Sequence, residues 1–98
     1  MKDLYILGSG GHAIEVYFLA KRIGKWNIKG MLDIEDKDPV VIGSDKVPVI
    51  NESFIDNLLP EKTCLAIGIA GSTKIIKKMI DQFSGKFEFP NLIDPSVI

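Results

Sequence analysis

Short apolar runs alternate with longer amphipathic stretches along this chain. Residues 4–7, 28–32 and 63–69 are rich in apolar side chains and have the length of buried strands. Residues 12–23 and 73–83 place apolar side chains at every third or fourth position, which predicts helices. Alternating strands and helices with short links predict an α/β domain, with a Rossmann-like, open and mainly parallel sheet flanked by helices.

The segments between these elements carry weaker patterns. Residues 35–46 are polar and contain Pro39 and Gly43, which predicts a loop with one short strand at residues 40–42. The other predicted elements are a short strand at residues 49–50, a helix over residues 52–59 that begins after Asn51, and a last strand over residues 87–93. Pro90 interrupts that last strand, which favours a place at an edge of the sheet.

Composition narrows the class of protein. The chain has 98 residues, 46% of them apolar and 26% charged, with a formal net charge of −1, as expected for one small globular domain. We expect no nucleic-acid binding because there is no basic stripe, and no membrane insertion because no apolar run approaches the length of a span. The N-terminus lacks the pattern of a signal peptide. The single cysteine, Cys64, lies in an apolar run and is expected to be a buried, inert thiol, which together with the missing signal peptide predicts a cytoplasmic protein.

A glycine-rich segment, Gly8-Ser9-Gly10-Gly11-His12, follows the first predicted strand and opens the first helix. Gly8 permits a tight strand-to-helix turn, and Gly10 permits a phosphate to approach the backbone without meeting a Cβ. The first N–H groups of a helix are unpaired and lie at the positive end of its dipole. The segment therefore predicts an anion or nucleotide site, which His12 contacts as a neutral hydrogen-bonding group.

Two further positions belong at the same edge of the predicted sheet. Asp33 ends the second strand about 20 residues after the glycine-rich segment, where an acid reaches the ribose or base of a nucleotide. Gly68 follows a later strand, and we expect it to permit close approach of the ligand from the opposite wall of the crevice. No histidines or cysteines stand at the spacing of metal ligands, so we expect no metal.

The residues alone leave the ligand open. Gly8, Gly10, Ala13 and Asp33 fit a dinucleotide fingerprint for NAD, and they fit a nucleotide sugar equally well. The alternative to a sugar-nucleotide domain is the NAD-binding domain of a dehydrogenase or of a regulatory protein. A dehydrogenase would need a substrate domain, for which this chain is short. A third possibility is a module without catalytic function, kept for packing against a partner through apolar residues on the first helix such as Phe18.

Four segments along the chain share their order with one family. They are LYILGSGGHA at residues 4–13, MLD at 31–33, AIG at 66–68 followed by a basic helix, and NLIDPSVI at 91–98. In this order they resemble bacterial sugar acetyltransferases of the sialic-acid and bacillosamine pathway type. The chain differs from the family at Ile34, which is often a second acid, and at Asp94, where a histidine is common.

The resemblance implies that residues 1–98 form an N-terminal domain that binds a UDP-linked sugar. The implied binding residues are Gly8, Ser9, Gly10, Gly11, His12, Asp33, Ile34 and Gly68. No catalytic residue is implied for this chain.

The resemblance also implies a second domain, a left-handed β-helix of hexapeptide rungs. That domain binds acetyl-CoA, carries the catalytic histidine and forms a homotrimer that serves polysaccharide biosynthesis in the cytoplasm. Because the first rung is expected where this chain ends, at Ile98, we expect a fragment that has no acetyltransferase activity alone.

Overall fold

The computed structural model describes residues 1–69 and 73–90. Its strands are β1 (Lys2–Leu7), β2 (Trp26–Asp33), β3 (Lys37–Ile42), β4 (Asp45–Asn51) and β5 (Thr63–Ile67). Its helices are α1 (Gly11–Ile23), α2 (Thr73–Phe83) and two 3₁₀ helices over Glu52–Asn57 and Pro60–Lys62. The strands form one sheet in the order β3-β4-β2-β1-β5, and every pair is parallel except β3 with β4. The α/β class with a mainly parallel sheet is therefore confirmed.

The interior strand β1, which lies between β2 and β5, is buried on both faces. Side chains alternate between the two faces of a strand, so Leu4 and Ile6 pack into one apolar layer while Tyr5 and Leu7 pack into the other. The first layer is covered by the buried face of α1, and the second by the first 3₁₀ helix, α2 and Phe87. This burial explains why the sequence of β1 is a continuous apolar run rather than an alternating one.

The predicted loop over residues 35–46 was wrong, because this segment belongs mainly to a β-hairpin of β3 and β4. Gly43 has a φ of 62° in a two-residue turn between Ile42 and Asp45, which form the last pair of the hairpin. A glycine with positive φ at the first central position is typical of a type II′ hairpin turn. Pro39 lies in β3 at the edge of the sheet, where its missing N–H breaks no ladder to a further strand.

The end of α1 and the start of the first 3₁₀ helix follow the sequence signals. Gly24 ends α1 in the left-handed conformation, with a φ of 72°, and its N–H donates to Ala20. The side chain of Asn51 accepts a hydrogen bond from the N–H of Ser53, as expected of an N-cap. The helix that follows is a 3₁₀ helix over Glu52–Asn57, shorter and tighter than the predicted helix over residues 52–59.

The predicted last strand over residues 87–93 is reduced to one bridge, between Glu88 and Cys64 of β5, in the part of it that the structure describes. The Leu65 N–H donates to the Glu88 carbonyl at 2.9 Å. Pro90 has no N–H with which to extend this pairing. The bridge lies beside β5, so its place at the edge of the sheet is as expected. Residues 91–93 lie outside the described residues.

Candidate functional site

The path of the chain through the sheet creates a crevice. From β1 the chain moves outward through β2 to the hairpin of β3 and β4, and it then crosses back to place β5 on the other side of β1. Helix α1 leaves β1 over one face, and α2 leaves β5 over the other face. The carboxyl ends of β1 and β5 therefore mark the topological switch point, where open α/β sheets bind their ligands.

A cavity of about 380 Å³ lies at this switch point. It is lined by Gly8, Ser9, Gly10, Gly11, His12, Asp33, Gly68 and Ile69. Seven of these eight residues are positions that the sequence singled out, so the structure brings those candidates together in one place. Ile69 was missed because the sequence pattern assigned it to the end of β5, whereas the strand ends two residues earlier at Ile67.

Two glycines of the crevice are required by internal packing. Gly8 has a φ of 109°, and a Cβ there would come within 2.7 Å of both the Gly68 carbonyl oxygen and the Ile69 side chain. At Gly68 an added Cβ would lie 2.4 Å from Ile6 Cγ2 and 2.9 Å from Ala13 Cβ. The close approach that Gly68 permits is therefore that of β1 and α1 to the residue that follows β5. This finding supplies an internal reason for the glycine that differs from the predicted approach of a ligand.

The other two glycines have no such internal requirement. A Cβ added at Gly10 or Gly11 would meet no atom within 4 Å, and neither residue has a positive φ. Both residues are exposed at the crevice. The space beside Gly10 and Gly11 is therefore open to an incoming group.

The start of α1 presents unpaired donors to this space. The N–H of Ile14 makes the first helical hydrogen bond, to the Gly10 carbonyl at 3.2 Å, so the preceding N–H groups have no partner within the helix. Gly10 offers no side-chain cap, and the first turn contains no acid. His12 stands in this turn with Nδ1 3.7 Å from a Glu15 carboxylate oxygen, and its side chain is 44% exposed. This helix end favours an anion.

Asp33 is held in place at the floor of the crevice. Its carboxylate accepts hydrogen bonds from the Ser9 hydroxyl, from the Ile34 N–H at 2.7 Å and from the Lys37 ammonium at 3.2 Å. The Ser9 hydroxyl is the largest influence that holds the pKa of Asp33 below its ordinary value, followed by the Ile34 N–H. Asp33 is therefore an ionised acceptor, fixed in position before any ligand arrives.

Lys37 is a member of this network that the sequence did not reveal. It lies at the start of β3, in the segment that the pattern assigned to a loop, and no rule of spacing links it to the glycine-rich segment. The hairpin of β3 and β4 carries its ammonium group to Asp33.

Ile34 does not line the crevice. Its side chain is 78% exposed and borders a separate depression beside Asn51 and Phe83. Its backbone contributes instead, because the Ile34 N–H donates to Asp33 and the Ile34 carbonyl accepts from the Asn51 side-chain amide at 2.8 Å. Its assignment as a binding residue stays a prediction.

Other chemistry in the described residues is limited. No group of three or more His, Cys, Asp or Glu among residues 1–69 and 73–90 could hold a metal ion. Cys64 is buried and its thiol donates to Glu88 at 3.1 Å, while burial raises its pKa to about 11. The inert character predicted for this thiol is therefore supported. No helix in the described part of the chain has the length and apolar character needed to cross a membrane.

These features define a Rossmann-like α/β domain with a crevice at its switch point, beside the first N–H groups of α1. Residues 3–83 match the model of one family, the PglD N-terminal domain. The chain therefore belongs to the PglD N-terminal domain family, and the resemblance found in the sequence is confirmed.

Two solved structures share the fold. One is the acetyltransferase domain of PglB from Neisseria gonorrhoeae FA1090 in complex with acetyl coenzyme A, with 24% identity and a TM-score of 0.73 over 96% of this chain. The other is also the acetyltransferase domain of PglB from Neisseria gonorrhoeae FA1090, with 24% identity and a TM-score of 0.74 over 97% of this chain. The chain spans only 44% and 45% of the length of these two structures. No curated protein matches the chain.

Proposed function

We propose that the crevice binds a nucleotide-linked sugar of the UDP type, with its phosphates at the start of α1. The observation that carries this proposal is the open space at Gly10 and Gly11. In the same crevice, the space that a Cβ would take at Gly8 or Gly68 is already occupied by neighbouring atoms. Packing and backbone conformation leave both positions free for larger residues, and glycine at these two positions lets a ligand approach the start of α1 closely. The unpaired N–H groups of α1 supply donors for a phosphate.

Asp33 supplies the second part of this proposed site. A hydroxyl or N–H of the nucleoside or sugar would donate to the carboxylate, which is ionised and held on one side by Ser9 and Lys37. Charge-assisted hydrogen bonds of this kind are stronger than neutral ones. Membership of the PglD N-terminal domain family favours a sugar nucleotide over NAD, which the glycine pattern alone does not.

The exposed face of α1 gives less support to a packing module. Phe18 is 47% exposed, but Ile14 on the same helix packs against the apolar layer between α1 and the sheet. The apolar surface expected to meet a partner is therefore only partly free. A single exposed aromatic residue is common on monomeric proteins. The packing module is therefore kept as an outcome of the binding experiment.

For the whole protein we propose an acetyltransferase that moves an acetyl group from acetyl-CoA to the bound sugar. The structural relative named above was solved with acetyl coenzyme A. In this proposal residues 1–98 hold the sugar nucleotide. A β-helix domain outside this chain holds acetyl-CoA, supplies the general base and forms a trimer in the cytoplasm. This chain alone would bind the sugar and have no transferase activity.

Calorimetric titration of the domain with UDP-N-acetylglucosamine and, separately, with NAD tests the binding proposal. We expect the sugar nucleotide to bind more tightly than NAD. Gly10→Ala should weaken binding of the sugar nucleotide by about tenfold or more, because the added Cβ would keep the phosphate away from the N–H groups of α1 and so remove at least one hydrogen bond to a charged group. Gly85→Ala is the matched control, because a Cβ at Gly85 also meets no atom within 4 Å and that residue lies outside the crevice.

Three results would contradict the proposal in different ways. Tighter binding of NAD would assign the crevice to a dinucleotide. Absence of affinity for both ligands would favour a packing module. Equal binding by wild type and Gly10→Ala, with unchanged thermal stability, would place the ligand elsewhere on the domain.

A further inference from the structure

The sheet opens at the end opposite the crevice. Strands β2 and β4 pair at only three positions, from Met31 with Val49 to Asp33 with Asn51. Pro48 has no N–H with which to continue the ladder. Its carbonyl oxygen lies close to Gly30 on β2, since it would be 3.0 Å from a Cβ added there. Before this point the two strands separate, and a cavity of about 460 Å³ lies between them and the last turn of α1.

This split-sheet cavity, lined by residues 17, 21, 24, 26–29 and 45–48, has an apolar wall. Trp26 and Ile28 are partly buried against the core, Val47 is fully part of it, and Pro48 completes the wall. The volume lies within the range of about 300–1,000 Å³ that is typical of small-molecule sites. The indole of Trp26 gives such a ligand an aromatic surface.

One group of polar residues in the cavity is satisfied internally. The Tyr17 hydroxyl donates to Asp45 at 2.6 Å, and the Lys21 ammonium contacts both Asp45 and the Tyr17 oxygen. Lys21 and the Tyr17 hydroxyl, in that order, hold the pKa of Asp45 below its ordinary value. The single carboxylate of the cavity is therefore neutralised by its neighbours.

The remaining charge is positive. Lys29 on β2 and Lys46 on β4 stand on the two separated strands, and both residues are exposed. Neither forms an ion pair with the described residues. A ligand with an acidic group would neutralise these two ammonium groups, whereas a cation would be repelled.

We infer that the split-sheet cavity is a second binding site, for a small organic anion with a flat aromatic body. Because side chains alternate along β4, Lys46 lies on the face of the sheet opposite Val47. The aromatic part would lie against Trp26 and Ile28, and the acidic group would extend through the gap between the two strands toward Lys29 and Lys46. This site is separate from the crevice, since the two cavities share no residue. The inference is therefore independent of the proposed sugar nucleotide.

The chain provides its own reporter for this site, because Trp26 is its single tryptophan. The probe is 8-anilinonaphthalene-1-sulfonate, an aromatic anion, and the comparison compound is N-phenyl-1-naphthylamine, which has a similar ring system without the sulfonate. We expect the anion to quench Trp26 emission saturably and to bind more tightly than the neutral compound. Saturating UDP-N-acetylglucosamine should leave this binding unchanged, whether or not the crevice takes that ligand.

A pair of charge-matched variants makes the test specific. Lys29→Ala with Lys46→Ala should weaken binding of the anion by about fivefold or more, as for loss of exposed ion pairs. Lys62→Ala with Lys86→Ala removes the same charge from exposed positions outside this cavity and should have no effect. Absence of saturable quenching, equal affinity for the neutral compound, or equal loss in both double variants would overturn the inference.

Discussion

Substitution of Gly68 by alanine tests the close contact that joins β5, β1 and α1. The new Cβ would lie 2.4 Å from Ile6 Cγ2, 2.9 Å from Ala13 Cβ and 3.0 Å from Ala13 Cα. Ile6 and Ala13 are both fully buried, so neither can move into solvent to relieve the contact. Gly68 does not have a positive φ, so the cost is one of packing alone. Overpacking of a core by one methyl group costs about 1–3 kcal/mol.

Urea unfolding followed by far-UV circular dichroism measures this cost. We expect Gly68→Ala to lower the midpoint at an unchanged slope, because a change in stability alone shifts the midpoint. In thermal unfolding the same loss corresponds to about 4–8 °C for each kcal/mol in a domain of this size. Gly11→Ala is the control, because its Cβ would occupy open space at the start of α1.

The two variants should differ in sign as well as in size. Alanine at a compatible glycine position stabilises by about 0.4–1 kcal/mol, so Gly11→Ala should be neutral or stabilising. A Gly68→Ala domain with a free energy of unfolding within about 0.5 kcal/mol of wild type would refute the packing role of Gly68. The glycine would then need another explanation, such as the ligand approach that the sequence first suggested.

Three smaller perturbations test other parts of the structure. Tyr17→Phe removes a hydrogen bond to Asp45 and should cost about 0.5–1.5 kcal/mol in urea unfolding. The pKa of Asp33 is lower in the folded domain than in the unfolded chain, so the ionised carboxylate stabilises the fold at pH values above its unfolded pKa. This contribution disappears as the pH falls through its folded pKa. Ser9→Ala should therefore reduce the loss of stability between neutral pH and acid, measured by urea unfolding across pH; an unchanged profile would contradict it. Cys64, with a pKa near 11, should react with a thiol reagent at neutral pH only after unfolding; rapid labelling of the folded domain would contradict its burial.

The part of the site that the sequence predicted is the part built from neighbouring residues. The glycine-rich segment, its strand and its helix lie within residues 2–23, and local periodicity with glycine punctuation determines them. Asp33 could be added because the length of a βαβ unit fixes where the second strand ends. The resemblance to the family followed from the order of such segments along the chain.

The part that the sequence missed depends on contacts between distant segments. Lys37 reaches Asp33 only because β3 folds back along β4, and the contact of Gly68 with Ile6 and Ala13 joins three separate elements. A local signal did exist for the hairpin. Gly43 is followed by Ser44 between strand-forming residues, and a two-residue glycine-serine turn is typical of a hairpin. The polar composition of the surrounding segment concealed it.

The edges of the sheet affect how copies of this domain behave when they are crowded together. At one edge β3 carries Pro39, which lacks an N–H, beside the charged residues Lys37 and Asp38. At the other edge the Glu88 carbonyl occupies the N–H of Leu65 on β5. Strands with free backbone groups recruit other chains into shared sheets and begin aggregation. Because both edges are blunted in the described structure, a high local concentration of this domain is compatible with each copy keeping its own fold.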